Sequence, residues 1–130
     1  MNSDVLRTSK TLADYRAERQ RIGADALSKV DLTDLPMVHQ WHHWILVVNE
    51  FPYDKIASVH RLLVPLRRFI DESQMTNEER EELFRIKEEF AQHTEYDCLL
   101  ENLRSNRTVP GQYHLHCIKF HHVTPITDLS

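Results

Sequence analysis

Only two glycines, Gly23 and Gly111, occur in this chain of 130 residues. Loops that cradle phosphate on bare backbone need several glycines close together, so Walker and dinucleotide-binding motifs are excluded. Cysteine is as scarce: Cys98 and Cys117 stand singly, without the paired spacing of a zinc site. A reduced pair in a cytoplasmic protein is expected, with a disulfide between them as the alternative. No apolar run approaches the roughly 20 residues that span a bilayer, and Met1-Asn2-Ser3-Asp4-Val5 opens no signal-peptide core. Nor is positive charge in excess, since 16 Lys+Arg against 20 Asp+Glu leave a net charge of −4. That balance argues against a non-specific nucleic-acid binder, yet leaves room for a small anion held by a few donors. A soluble, cytoplasmic single domain (residues 1–130), large enough for one hydrophobic core, is the expectation.

What the chain does contain is histidine, nine in all. The most telling stretch is Gly111-Gln112-Tyr113-His114-Leu115-His116-Cys117-Ile118-Lys119-Phe120. Side chains alternate between the faces of a strand, so Gln112, His114 and His116 would share one face. Tyr113, Leu115 and Cys117, together with Phe120, would supply apolar contacts on the other. Imidazole, with an ordinary pKa of about 6.5, suits nucleophilic or proton-transfer chemistry near neutrality. By itself the pattern His114-Leu115-His116 leaves three uses open: structural or surface histidines, metal ligands, or catalysis. Local sequence offers no third ligand at zinc spacing.

Around this row the organisation is that of an α+β domain with an antiparallel sheet. Leu12, Tyr15, Arg19, Ile22 and Ala26 recur at helical spacing, which predicts an amphipathic helix over 12–30, weakened by Gly23. The segment 31–36 reads as a connector. Strands are predicted over 43–49, rich in β-branched and aromatic residues, over 58–66, centred on His60-Arg61-Leu62-Leu63-Val64, and over 96–103. Thr76-Asn77-Glu78-Glu79 is a capping box, from which Leu83, Ile86 and Phe90 carry a helix to about His93. The glutamates of that helix, interspersed with Arg80, Arg85 and Lys87, read as a solvated face. Arg61, Arg67 and Arg68 could meet phosphate, although solubilising surface is the commoner use. His42-His43 reads as a strand entry and His121-His122 as a strand exit.

Four segments in order resemble the histidine triad (HIT-like) superfamily of nucleotide-binding hydrolases and transferases. They are Val47-Val48-Asn49-Glu50-Phe51-Pro52, then His60-Arg61-Leu62-Leu63-Val64-Pro65-Leu66-Arg67-Arg68, then Thr76-Asn77-Glu78-Glu79-Arg80, and finally Gln112-Tyr113-His114-Leu115-His116. The last falls where the family carries His-φ-His-φ-His, φ being apolar. Residues 41–122 would form the HIT-like core, and residues 1–40 a helical extension outside the resemblance.

The resemblance implies a five-stranded, mainly antiparallel sheet with helices on one side, a homodimer, and no cofactor or metal. It also implies a covalent mechanism, which divides one difficult displacement into two easier ones. His114 would attack the α-phosphorus of a nucleoside phosphoramidate or dinucleoside polyphosphate, and His116 would stabilise the charge developing on a phosphate oxygen. Asn49 would hold the ribose, Asn102 would lie near the α-phosphate, and His60 would support the pair. Two departures stand out. Gln112 replaces the first histidine and cannot carry a proton at neutral pH. The family's Gly-Gln-Ser-Val turn is missing, leaving Thr108 to contact phosphate. The alternative is a catalytically impaired nucleotide-binding or protein-interaction module on the same fold.

Overall fold

The computed structural model describes residues 3–23, 30–93, 95–103, 107, 109 and 111–121. Five strands, β1 (Met37–Gln40), β2 (Trp44–Val48), β3 (Ala57–Pro65), β4 (Cys98–Leu100) and β5 (Leu115–Phe120), form one sheet in the order β1-β2-β3-β5-β4. Every neighbouring pair is antiparallel. Helix α1 (Ser9–Ile22) precedes the sheet, and α2 (Asn77–His93) lies between β3 and β4.

The sheet has two buried faces because its central strands are apolar on both sides. Trp44, Leu46, Leu63, Leu115 and Cys117 point to one face and pack against Leu83, Ile86 and Phe90 of α2. Burying each such side chain contributes roughly 1.5–3 kcal/mol, enough to hold a helix whose other positions are mostly charged. Ile45, Val47, Leu62 and Val64 point to the opposite face, where Leu32 covers them from a 3-10 turn at Leu32–Asp34. Residues before the sheet therefore cover one face and α2 the other. The expected arrangement, with helices on one side only, is corrected: an apolar second face has to be covered, and the segment nearest in sequence covers it.

The two central strands lie within a residue of where their apolar runs predict. Three elements differ. The strand expected over 96–103 shrinks to Cys98–Leu100. Helix α1 stops at Ile22 because Gly23 adopts φ 79° and returns its N–H to the Arg19 carbonyl at 3.0 Å. Residues 24–29 of the predicted helix lie outside the described residues. Strand β1 has no sequence signal, since all four of its residues are exposed and it is held by backbone pairing to β2 alone. Phe120 is 40% exposed and stands outside the cluster of Tyr113, Leu115 and Cys117. Cys117 faces α2 while Cys98 packs beside Ile118 on the other face, and both are free thiols.

The capping box forms in both directions. Glu79 N–H donates to Thr76 Oγ1 at 3.1 Å, and Thr76 N–H donates to Glu79 Oε1 at 2.7 Å. Glu79, unlike the other glutamates of α2, is buried, and Arg67 pairs with it at 2.8 Å. Thr76→Ala should lower stability by about 1 kcal/mol in urea unfolding. A midpoint unchanged from wild type would show that the cap carries no net energy. Among the described residues no helix is long and apolar enough to cross a membrane.

Candidate active site

Strand alternation on β5, and on the residues just before it, turns His114 and His116 to the face opposite α2, while Gln112 reaches that face from the bend that precedes them. The register then sets Leu62 opposite His116 and His60 opposite Ile118, so His60 and His116 meet diagonally on that face. His60 Nε2 lies 2.8 Å from His116 Nδ1, and the His116 ring is edge-on to His114 with centroids 5.2 Å apart. Tyr53, from the β2–β3 connection, stacks on His116 at 5.1 Å and 21°. All three imidazoles are buried.

Hydrogen bonds to groups with only one possible role fix the tautomers. The Gln112 carbonyl can only accept, and it lies 2.9 Å from His114 Nδ1. That nitrogen therefore carries the proton, leaving a lone pair on Nε2. The Tyr53 backbone N–H can only donate, and it reaches His60 Nδ1 at 2.9 Å. Neutral His60 then holds its proton on Nε2 and donates it to His116 Nδ1, which places the His116 proton on Nε2. Asn102 Nδ2 lies 2.9 Å from Tyr53 Oη and 3.2 Å from His116 Nε2. Amide nitrogen and oxygen exchange places by a half-turn, so Oδ1 can accept the His116 proton. The outcome is a nucleophilic nitrogen on His114 beside a hydrogen-bond donor on His116.

The histidines are held neutral. Burial pushes His60 down to about 3, with the charge of Arg7 and then His114 adding to it. Burial likewise holds His116 well below its ordinary value and lowers His114, against the opposing hydrogen bond from His114 to the Gln112 carbonyl. A folded-state pKa below the unfolded one means that the unfolded chain binds more protons. The stability these rings contribute is present above about 6.5 and is lost as pH falls from there toward the folded values. The melting temperature should drop between about pH 7.5 and 5, with a shallower drop in His60→Gln. A flat profile over that interval would mean that the rings are not buried in the neutral form.

Gln112 does not reach toward the other histidines. Its Oε1 accepts the Leu32 N–H at 2.8 Å, and its Nε2 donates to Asp31 Oδ1 at 2.9 Å. This side chain thus ties residues 31–32 to the face of the sheet that carries His114 and His116. The Gln112 bond is the leading cause that lowers the Asp31 carboxyl below its ordinary range. Farther along, Thr8 N–H and Oγ1 donate to Asp54 at 2.7 and 2.8 Å, and Thr11 Oγ1 adds a third bond. Lys55 N–H donates to the Leu6 carbonyl at 3.0 Å. These contacts pin the start of α1 to the β2–β3 connection, where Tyr15 packs edge-on against Phe51 at 5.6 Å.

Between α1 and the sheet lies a cavity of about 140 Å³, lined by Arg7, Tyr15, Leu32, Asn49, Leu62 and His116 among others. Asn49 accepts the Phe51 N–H at 3.0 Å and sets its Nδ2 within 3.3 Å of the His60 ring nitrogens. Of the site residues expected from sequence, His60, His116, Asn49 and Asn102 are joined directly. Gln112 and His114 sit next to them, and Thr108 lies outside the described residues. Arg61, Arg67 and Arg68 are occupied elsewhere, on Glu95 and Tyr96, on Glu79 and Gln74, and on the Val30 carbonyl. Sequence reasoning missed Tyr53, Asp31 and Arg7. Their importance comes from contacts 60 or more positions away in the case of Tyr53 with His116 and Asp31 with Gln112, and no local pattern marks them.

No family model matches the sequence, and no curated protein is significantly similar to it. Solved structures do match. A HIT family hydrolase from Legionella pneumophila Philadelphia 1 superposes with a TM-score of 0.53 at 20% identity, covering 75% of this chain and 94% of that one. A HIT family hydrolase from Clostridium thermocellum gives 0.52 at 16%, covering 72% and 87%. A histidine triad protein from Clostridium difficile gives 0.50 at 16%, covering 70% and 83%. The fold is HIT-like, an α+β fold with a five-stranded antiparallel sheet.

Proposed function

We propose that this protein is a hydrolase or nucleotidyl transferase acting at the α-phosphate of a nucleoside phosphoramidate or dinucleoside polyphosphate. The observation that carries this function is the tautomer of His114: its Nδ1–H is spent on the Gln112 carbonyl, so Nε2 is free to attack. The HIT-like fold supports placing that nitrogen at a nucleotide's phosphorus. In the first step a bond forms between His114 Nε2 and the phosphorus, and the bond to the leaving group breaks. The imidazolium so formed keeps its Nδ1 proton on the Gln112 carbonyl, which stabilises the positive charge. His116 Nε2–H donates to a non-bridging phosphate oxygen, oriented from behind by His60 and Tyr53. Water or another acceptor then displaces His114 and releases the nucleotide.

AMP release from an adenosine phosphoramidate and from a diadenosine polyphosphate tests the function, and the better substrate names the class. Binding of AMP without release from either compound would favour the impaired binding module. That second function draws on one observation: Gln112 is committed to Asp31 and Leu32 instead of to a leaving group. A homodimer goes with the first function, supported by Phe84, which stands 64% exposed on α2, and the cytoplasmic location expected from the sequence goes with it.

A further inference from the structure

Arg7 lies one turn before α1, in the segment that carries none of the sequence resemblance, yet its side chain is only 3% exposed. It lines the same cavity as His116 and Asn49. Its Nε donates to the Phe51 carbonyl at 3.0 Å, and Asp4 stands 4.0 Å from Nη1. The guanidinium carbon sits 4.4 Å from the Tyr15 ring centroid and 4.9 Å from that of Tyr53. Tyr53 in turn stacks on His116. A buried cation is thus held in a fixed orientation, one aromatic ring away from the imidazole that faces the phosphate.

Charge accounting makes this placement consequential. His60, His114 and His116 are neutral, so the hydrogen bonds they offer leave the negative charge of a phosphate uncompensated. Three other arginines approach the site. Arg68 spends Nη1 on the Val30 carbonyl, and Arg107 spends Nε and Nη1 on the carbonyls of Asn102 and Ile70. Arg19 lines the cavity too, but it is exposed and its Nη1 donates to Tyr15 Oη at 2.9 Å. Arg7 differs in lining the cavity as a buried group, and its charge reaches both His60 and His116. An arginine fork presents five N–H donors and suits the oxygens of phosphate.

We infer that Arg7 is a phosphate-binding residue of the site: a guanidinium supplied by the N-terminal extension that pairs with the phosphate of the nucleotide in the cavity beside His116. The inference rests on the proposed nucleotide function. It makes the extension part of the substrate site, and the ligand class one that carries its anionic charge at the Arg7–His116 end.

The test uses the full chain and three probes, AMP, adenosine and inorganic phosphate, titrated into wild type, Arg7→Met and Arg7→Lys. Arg7→Met keeps most of the stem between the two rings and removes the charge. It should weaken AMP by about 10- to 100-fold, the usual worth of a hydrogen bond to a charged group, and abolish phosphate binding while leaving adenosine within about twofold. Arg7→Lys keeps the charge without the fork and should weaken AMP severalfold with adenosine again unchanged. This second comparison decides the matter if Arg7→Met does not fold. Equal losses for AMP and adenosine would assign Arg7 to holding the extension in place and overturn the inference, as would AMP affinity unchanged in either variant. Phosphate binding that depends on Arg7 in a protein blind to adenosine would uphold Arg7 and reject the nucleotide. Wild type that binds none of the three probes would reject both.

Discussion

Replacing His114 with alanine should reduce AMP release by about three orders of magnitude or more, the scale seen when a covalent nucleophile is removed. The loss follows from the position of one lone pair. His114 Nδ1 is held by the Gln112 carbonyl, and the neighbouring rings have other tasks: His60 accepts the Tyr53 N–H and faces His116, which faces Asn102. None of them offers a second free nitrogen in the same place. Binding should survive, because the groups proposed to hold the phosphate, His116 and Arg7, are untouched by the substitution. Stability should fall by about 1–3 kcal/mol, since the Gln112 carbonyl loses its buried donor. The decisive measurement is AMP release by both proteins, combined with mass spectrometry of wild type quenched during turnover. A nucleotidyl adduct on wild type that is absent from the variant is the expected result. Release that persists in His114→Ala would remove the covalent mechanism and leave water as the direct nucleophile.

Trp44→Ala should cost about 3–5 kcal/mol of folding free energy, the usual range for deleting a buried large aromatic. Trp44 is fully buried at the start of β2 and belongs to the cluster that seats α2. Its ring meets Tyr113 edge-on at 6.3 Å, and its Nε1 donates to the Glu79 carbonyl at 2.9 Å. The substitution therefore removes packing, opens a cavity and takes an additional hydrogen bond from a carbonyl in the first turn of α2. Tyr113 immediately precedes His114, so slackening of this contact should also lower activity in whatever fraction stays folded. Urea unfolding with a common slope measures the effect. A cost below about 1.5 kcal/mol would mean that neighbouring side chains collapse into the space, and that Trp44 is not the link between helix and site.

Much of the site can be traced to local rules. The alternation of residues 113–117 is a property of extended backbone, so the histidine face and the apolar face of β5 follow from parity alone. The capping box at Thr76 and Glu79 involves residues three apart and forms as their spacing predicts. The apolar runs of β2 and β3 mark strands buried on both faces. Where local information ends, so does legibility. Nothing in Met37-Val38-His39-Gln40 alternates, because an exposed edge strand is held by backbone bonds that any residue can make. Gly23 reads equally well as a weak point within a helix and as its end, and only the positive φ at the terminus decides between them.

The sequence by itself determined the α+β class, the helix α2 with its cap, the central strands and the row of side chains that carries His114 and His116. These depend on periods of 2 and 3.6 residues and on contacts a few positions apart. Only the tertiary structure decided which nitrogen of His60 and of His116 carries the proton, because that depends on the Tyr53 N–H and the Asn102 carboxamide, brought in from other strands and connections. His114, by contrast, is set by the Gln112 carbonyl two residues before it. The tertiary structure alone made Gln112 the anchor of Asp31 and Leu32, and set Arg7 at the cavity that His116 also lines. Such pairings join residues about 80 to 110 positions apart, and their energy exists only once the sheet has formed a face for the extension to cover.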